Sequence, residues 1–334
     1  MSLATMSIKG DEDDDTSIHT TLYFLARDEL YKTEKPYSLR YRPDGDLPQS
    51  NIRRDKFKVT IKDIRKGEAP LLEKKGFQVM HLHSAMQYED FADDEMIRDV
   101  YLPEIQTALL KELDGRHVHV IDFAVRRRHS QFPISTGTEI ETLQPAALAH
   151  VDFTVREGER LIEVMYGERA VELLSGHWQI INIWRPLRGP LNDWPLAVCD
   201  AQSVDYRNDI MAGDLVYENF ATENLQIMHN VDQKWFYLPD QTTTEVLIFK
   251  SADSDHSEAP GQSNNIYPGW PKFPLMYTML IEKASPHAAF HNPKVAPEEL
   301  PRESINCRAF VFYIDLPDYP PVVEDVFQSI PTQS

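Results

Sequence analysis

The sequence predicts a mainly β fold, an antiparallel barrel or jelly roll with helical padding. Many short runs show the alternation or the β-branched and aromatic composition that is typical of strands. Only two stretches have helical spacing, and they do not alternate with the strands as they would in βαβ units. No glycine-rich phosphate loop and no G-x-S-x-G turn occurs, so nucleotide-binding and α/β-hydrolase folds are not indicated.

The N-terminal part of the chain is expected to contain four strands and one helix. The strands are predicted at 21–25, 56–64, 77–83 and 117–125. A segment rich in Pro, Asp and Arg at 33–54 predicts a loop. The apolar spacing over 90–114 predicts a helix, kinked at Pro103 and ending at Gly115.

A second helix is expected near the middle of the chain. Thr154 and Glu157 have capping-box spacing, and the helix is predicted to run to Ser175, with Gly176 at its end. The surrounding strands are predicted at 148–154, 177–184, 196–199, 214–220, 235–238, 244–250 and 305–314. Polar residues at 251–272 predict a loop, and no linker divides the chain.

Composition restricts the possible partners. The chain has 334 residues, and 34 Lys and Arg against 53 Asp and Glu give a net charge of −19, which disfavours binding to nucleic acid. Its two cysteines exclude a disulfide framework and suit a reducing compartment. Without a signal-like or membrane-spanning run, a cytoplasmic protein acting on a small molecule is expected. Residues 1–18 are predicted to be an acidic disordered segment, and residues 19–334 a single domain.

One short motif indicates metal chemistry. His150 and Asp152 lie two residues apart on a predicted strand, so both side chains project from the same face. An imidazole and a carboxylate supply two of the three ligands of the facial triad that holds ferrous iron. A triplet of this kind also arises by chance on surfaces and in cores, but here it lies in an apolar strand just before a helix start.

The third ligand is expected to be a distant histidine. Four later candidates follow the motif: His229, His256, His287 and His291. His287 is preferred because it lies where a loop returns to apolar sequence, just before the last strand. His291 replaces it if the local register differs.

A co-substrate carboxylate would need a cation, and the planar guanidinium of arginine is well suited to that role. Arg302 and Ser304 open the last strand on one face and could hold one carboxylate together. Arg308 has the same parity and is the competing candidate. For either arginine the alternative is a surface ion pair in this acidic protein.

These residues resemble the AsaB-like fungal hydroxylase/desaturase family, which includes gibberellin desaturase and CmcJ-like proteins. The resemblance covers about residues 20–315. It is carried by these segments in order: His150-x-Asp152, Asn182-Ile183-Trp184-Arg185-Pro186-Leu187, Pro195-Leu196-Ala197-Val198-Cys199-Asp200, Trp235-Phe236-Tyr237, Glu245, Pro286-His287-Ala288-Ala289-Phe290 and Arg302-Glu303-Ser304-Ile305-Asn306-Cys307-Arg308.

The resemblance implies a double-stranded β-helix, a cupin-like jelly roll, that depends on Fe(II) and 2-oxoglutarate, uses O2 and serves specialised metabolism. It implies His150, Asp152 and His287 as iron ligands and Arg302 with Ser304 as the 2-oxoglutarate clamp. This chain departs from the family in two places: Asn306 stands where the family has Glu, and the aromatic-rich segment 256–283 is longer than usual, which suggests a distinct lid or substrate wall.

Other charged residues allow two interpretations. Arg185 either faces the cavity and binds a carboxylate or is buried against Asp200 or Glu245. The basic triplet 126–128 is interpreted as a solvated strand end, although one member could face an anionic substrate.

The expected function is oxidation of an unactivated C–H bond of a small molecule by hydroxylation, desaturation or ring closure. Two alternatives have the same fold: a jelly-roll binding protein without metal, and a metal-dependent hydrolase that uses the same His/Asp face.

Overall fold

A computed structural model describes residues 17–133, 142–255 and 284–323. The predictions of a disordered N-terminus and of a lid at 256–283, which includes His256, therefore fall outside the described residues. Ser17 and Ile18 are an exception: both are buried, and the first strand begins at Ile18.

The described residues form two sheets, and most neighbouring strands are antiparallel. The strands are β1 (Ile18–Leu25), β2 (Tyr37–Leu39), β3 (Arg54–Asp63), β4 (Phe77–His81), β5 (His117–Arg127), β6 (His150–Val151), β7 (Trp178–Pro186), β8 (Leu196–Cys199), β9 (Ile210–Val216), β10 (Ala221–Ile227), β11 (Trp235–Tyr237), β12 (Glu245–Asp253), β13 (His287–Ala289) and β14 (Glu303–Phe312). The nine-stranded sheet has the order β1-β3-β11-β8-β13-β6-β10-β9-β2, and the five-stranded sheet β4-β12-β7-β14-β5.

The helices are short and lie outside the sheets. They are α1 (Leu72–Lys75), α2 (Asp94–Met96), α3 (Leu102–Leu113), α4 (Val155–Tyr166) and α5 (Ala170–Leu174), with 3-10 turns at Glu29–Lys32, Glu89–Ala92, Gly167–Arg169 and Ala201–Ser203 and a π-turn at Ile97–Tyr101. The predicted mainly β architecture with helical padding is thereby confirmed.

The inner faces of the two sheets meet across the site. Phe249 on β12 lies with its ring centroid 4.6 Å from that of His287 on β13. Asn182 on β7 hydrogen-bonds Asp152, which directly follows the β6 pairing region. The smaller sheet therefore covers the part of the larger sheet that carries the His-x-Asp motif, as the two walls of a jelly roll do.

The outer face of the smaller sheet is covered by helix. Ile105 and Leu109 of α3 pack against Ile183 of β7 and Cys307 of β14, and all four are fully buried. Helix α4 closes one end of the sheets, where Gly158 approaches Trp178 so closely that a Cβ would lie 2.6 Å from the indole ring. Helix α3 thus shields part of the outer surface of the smaller sheet from water, whereas α4 packs against Trp178 and Ile180 at one end of the inner face.

Several predicted elements need correction. The strand predicted at 214–220 is a hairpin, because β9 ends at Val216 and β10 begins at Ala221. The predicted loop at 33–54 contains β2, which pairs with β9. The predicted helix 154–175 begins as expected, with the Thr154 side chain accepting from Glu157 N, but it is interrupted at Gly167.

The first helix differs from its prediction at both landmarks. The irregularity is a π-turn at Ile97–Tyr101 just before Pro103, and the backbone stays in the right-handed helical region where this turn runs into α3. The C-cap is Asp114, with φ 51°, and not Gly115.

Candidate active site

A single strand pairing brings the two distant histidines together. His150 of β6 and His287 of β13 face each other in the antiparallel register, and their ring centroids lie 4.3 Å apart. Directly opposed residues project from the same face of a sheet. The two histidines are 137 positions apart in the sequence, and one bridge of the larger sheet therefore brings them together.

Asp152 completes the cluster. Its Oδ1 lies 3.5 Å from His150 Nε2, and its Oδ2 lies 3.8 Å from His287 Nε2. One potential ligand atom from each of the three residues lies within 4.8 Å of the others. Burial alone would raise the pKa of Asp152, but the adjacent imidazoles of His150 and His287 and the guanidinium of Arg308 hold it well below its usual range.

The two histidines are prepared for coordination through Nε2. His150 Nδ1 donates to the carbonyl oxygen of Leu148 at 2.7 Å, and this leaves the Nε2 lone pair free to face Asp152. Burial lowers the pKa of His287 to about 3, and the neighbouring His150 acts in the same direction. A neutral imidazole with an available lone pair is the form that binds a metal.

A buried amide fixes the carboxylate of the cluster. Asn182 Nδ2 donates to Asp152 Oδ2, while Ser251 donates through its hydroxyl to Asn182 Oδ1 at 2.6 Å. Both supporting residues are buried. Asn182 was not predicted as a site residue. Its amide lies between apolar residues in the run 180–184 of β7, and this placement was a signal that it faces a polar site.

Arg302 lies in the same interior and is 2% exposed. Its Nε donates to the Ser304 hydroxyl at 3.2 Å, its Nη1 donates to the Trp194 carbonyl at 2.8 Å, and the guanidinium lies 4.9 Å from the Trp184 ring centroid. Burial lowers the pKa of Arg302 to about 9, and the nearby Arg126 acts in the same direction.

Within the described part of the chain, no carboxylate forms an ion pair with this guanidinium. Asp193 approaches Arg302, but its Oδ2 accepts from the Arg302 backbone N–H and from Arg128 Nε. A buried cation without a matched anion is costly, and the arrangement therefore suits an incoming carboxylate.

Arg308, the competing candidate, is already paired. Its Nε donates to Asp122 Oδ1 at 2.8 Å, its Nη2 donates to Asp122 Oδ2, and its Nη1 lies 3.9 Å from Asp152 Oδ1. Burial opposes the charge, yet the two aspartates raise the pKa of Arg308 above its ordinary value. Arg308 therefore sits beside the His/Asp cluster with its charge matched.

The interpretation of Arg185 as a cavity residue needs correction, and so does its alternative. Alternation along β7 puts Arg185 on the face opposite Asn182, where its guanidinium lies 5.1 Å from the Phe91 ring centroid and 4.8 Å from that of Tyr101. Its Nη1 donates to the Thr243 carbonyl at 2.9 Å.

The predicted acidic partners of Arg185 are engaged elsewhere. Glu245 binds Arg65, and Asp200 accepts from the backbone N–H of Gln202.

Two other histidines from the candidate list lie away from the cluster. His229 stacks on Phe57 with ring centroids 4.1 Å apart, and His291 is exposed with its ring 5.8 Å from that of Trp194. The preference for His287 over these two therefore agrees with the geometry.

The basic triplet was only partly interpreted correctly. Arg127 and Arg128 form ion pairs with Glu303 and Asp193, whereas Arg126 lies opposite Ser304 on the inner face of the smaller sheet. The interpretation as a solvated strand end is therefore wrong for Arg126, and also for Arg128, whose side chain is 13% exposed. Because a strand has period two, Arg126 lies on the same face of β5 as Asp122, which is the face toward the site.

Comparisons with known proteins agree with this geometry. A family model described as "Oxidoreductase/YMDC permease-like domain" matches residues 22–264. In the part of the chain that the structure describes, no helix is long and apolar enough to cross a membrane.

Among curated proteins, the chain is similar to the Fe(II)/2-oxoglutarate-dependent dioxygenase nvfI of Aspergillus novofumigatus. The two are 28% identical over 310 residues, covering 89% of this chain and 97% of that protein. The alpha-ketoglutarate-dependent dioxygenase tstK of Talaromyces stipitatus is 26% identical over 265 residues, covering 76% of this chain and 84% of the relative.

Among solved structures, the iron and alpha-ketoglutarate-dependent endoperoxidase NvfI superposes with a TM-score of 0.71. It is 26% identical, and the match covers 90% of this chain and 99% of that one. The homologues are thus fungal Fe(II)/2-oxoglutarate-dependent dioxygenases, and the chain belongs to the family of the Oxidoreductase/YMDC permease-like domain.

Proposed function

We propose that this protein is an Fe(II)- and 2-oxoglutarate-dependent oxygenase that uses O2 to oxidise an unactivated C–H bond of a small molecule in fungal secondary metabolism. The observation that carries the proposal is the convergence of His150, Asp152 and His287 within 4.8 Å. Two imidazoles and one carboxylate on a single face, with no thiolate, form the donor set of non-haem Fe(II) oxygenases.

His150, Asp152 and His287 would hold the Fe(II). The residues present fit the ion, because both histidines direct Nε2 toward the carboxylate, and Asp152 is oriented by Asn182. Supporting hydrogen bonds of this type fix the orientation of ligands and increase metal affinity.

Arg302 and Ser304 would bind the distal carboxylate of 2-oxoglutarate. The guanidinium is buried and unmatched among described carboxylates, and the Ser304 hydroxyl lies 3.2 Å from its Nε. Arg308, paired with Asp122, instead adds positive charge beside Asp152.

Fe(II), when bound with 2-oxoglutarate, would couple decarboxylation of this co-substrate to activation of O2 and oxidation of the C–H bond. The contribution of the chain is to bind, to orient and to exclude water. Phe249 packs 4.6 Å from the His287 ring, and Trp184 lies against Arg302, so apolar rings separate the polar groups from solvent. No acid–base dyad is required of the chain.

Within this class we infer membership of the AsaB-like group, with hydroxylation, desaturation or ring closure as the reaction. The Asn182–Leu187 and Arg302–Arg308 segments support the inference. We further propose that residues 19–334 form one domain and that it acts in the cytoplasm, a reducing setting that suits its two free buried cysteines.

An anaerobic titration tests the proposal. Adding Fe(II) and 2-oxoglutarate to the protein should produce a weak visible charge-transfer band, and admission of air should release succinate. His150→Ala, Asp152→Ala and His287→Ala should each abolish both signals, and His291→Ala should keep them.

Each alternative gives a different result. A binding protein without metal would show neither signal, and a metal-dependent hydrolase would bind the metal without a change on adding 2-oxoglutarate. If His287→Ala keeps turnover and His291→Ala loses it, the third ligand is misassigned.

A further inference from the structure

Arg126 is an additional cation on the inner wall of the site. It stands opposite Ser304 in the β5–β14 register, and Asp122 on the same strand stands opposite Arg308. The ion pair between Asp122 and Arg308 demonstrates that these positions share one face. Arg127 points the other way and binds Glu303 through its Nε at 3.1 Å.

The contacts of Arg126 leave its charge uncompensated. Its Nη1 donates to the Gln144 carbonyl at 2.7 Å, and none of the described carboxylates forms an ion pair with it. Burial lowers the pKa of Arg126, and Arg40 and Arg308 lower it further, although Asp152 acts in the opposite direction. The guanidinium therefore lies among other cations in a partly desolvated place.

The charges of the described site do not balance. Three guanidinium groups face it, from Arg126, Arg302 and Arg308, against the two carboxylates of Asp122 and Asp152. The double positive charge of Fe(II) and the double negative charge of 2-oxoglutarate cancel each other. One positive charge is left over, on the half-buried Arg126, and one further anion would match it.

We propose that Arg126 binds a carboxylate of the substrate, so that the enzyme acts on anionic small molecules. This inference rests on the function proposed above. The co-substrate is not the favoured partner, because the buried Arg302 already has Ser304 beside it for that carboxylate. Arg126 is less buried than Arg302, and its other electrostatic neighbours are the exposed Arg40 and Tyr217, which follows β9. It therefore faces the solvent side of the site.

A ligand panel on the full chain tests the inference. Protein loaded with 2-oxoglutarate and Mn(II), a redox-inert stand-in for Fe(II), is titrated with apolar carboxylic acids, each paired with its primary amide. Thermal shift identifies binders, and calorimetry gives their Kd values. In the wild type, the acids that bind should do so at least about tenfold more tightly than their amides, as a charge-assisted hydrogen bond provides.

Three variants separate the possible origins of such a preference. Arg126→Leu should bind acid and amide equally, Arg126→Lys should keep part of the preference, and Arg127→Leu on the outer face should keep all of it. The Kd for 2-oxoglutarate should change less than about threefold in Arg126→Leu.

The inference is overturned if no acid binds, if amides bind as well as acids, or if Arg126→Leu keeps the preference. It is also overturned if Arg126→Leu weakens 2-oxoglutarate as much as Arg302→Leu does, because Arg126 would then bind the co-substrate. If the wild type fails to bind Mn(II) and 2-oxoglutarate at all, the proposed function itself is wrong.

Discussion

Two clusters among the described residues contain a histidine next to an aspartate, and they differ in how their charges are matched. One is the His150/Asp152/His287 cluster between the sheets. The other, the Lys250 cluster, lies where the start of β7 meets the end of β12 and consists of Lys250, Asp253, His177, Gln179 and Glu73.

The Lys250 cluster is closed by its own hydrogen bonds. Lys250, fully buried, donates to Glu73 and Asp253 at 2.7 Å each, and His177 Nε2 lies 2.8 Å from Asp253. Gln179 also donates to Asp253 at 2.9 Å. Burial would raise the pKa of Asp253, but the contacts with His177 and Lys250 lower it.

In the His150 cluster, by contrast, the ligand atoms converge without such closure. Nε2 of His150 and His287 face Asp152 at 3.5 and 3.8 Å, which is too long for good hydrogen bonds. Residue type therefore does not distinguish a structural cluster from a binding cluster. What distinguishes them is whether the chain itself supplies every partner.

The largest expected effect is on folding stability, from removal of the buried cation. Lys250→Met removes the fully buried cation paired with Asp253, which keeps only His177 and Gln179, and should lower the free energy of unfolding by about 3 kcal/mol, the lower end of the range for a broken buried pair. Chemical denaturation measures this effect. His150→Ala in metal-free protein is the control and should change stability by less than about 1 kcal/mol. If both variants lower the free energy of unfolding equally, the two clusters do not differ in their contribution to stability.

The next largest effect should be on 2-oxoglutarate binding, from removal of Arg302, the arginine without a matched carboxylate. Arg302→Ala should raise the apparent constant for 2-oxoglutarate by about 10–100-fold, because a charged hydrogen bond to the co-substrate is lost. Arg308→Ala should raise it far less, since Arg308 is paired with Asp122. Succinate formation against 2-oxoglutarate concentration measures both, and the reverse order would reassign the clamp to Arg308.

Removing the side chain that orients Asp152 should weaken metal binding less than removing Asp152 itself. Asn182→Ala removes the donor to Asp152 Oδ2 and should weaken Mn(II) binding by about tenfold, in line with other groups that orient metal ligands. Ser251→Ala, one hydrogen bond farther out, should weaken it less. Metal titration in solution gives both values, and an unchanged affinity in Asn182→Ala would show that Asp152 is oriented without it.

The smallest expected effect is a pH dependence of the stability that the Lys250 cluster contributes to the fold. Because the pKa of Asp253 is lower in the folded than in the unfolded protein, ionised Asp253 stabilises the fold above the unfolded value of about 4, and this contribution is lost as pH falls below it. The difference in unfolding free energy between wild type and Asp253→Asn should therefore shrink between pH 6 and pH 3. A difference that grows in acid would mean that the pKa of Asp253 is raised.

Sequence was sufficient where the signal was local. His150 and Asp152 share a face because a strand has period two. Thr154 caps α4 because its hydroxyl accepts a hydrogen bond from the backbone N–H of Glu157, three residues later. Long strands such as β5, β7 and β14 were found for the same reason, since their apolar composition repeats over many residues.

Sequence was insufficient where strand pairing decides the outcome. Strand β13 has three residues, too few for a periodic signal, and His287 reaches the site only through its bridge to His150. Arg126 was taken for a solvated strand end, but its pairing with Ser304 directs it inward. The face on which Arg185 lies could not be predicted, because every residue of β7 is buried and the sequence therefore shows no difference between the face toward the site and the face toward the helices.

Anomalous scattering at the iron edge tests the central claim most directly, on crystals grown anaerobically with Fe(II) and 2-oxoglutarate. The account predicts one iron peak within bonding distance of His150, Asp152 and His287, with a 2-oxoglutarate carboxylate on Arg302. A site without iron under excess metal, or iron bound without His287, would contradict it.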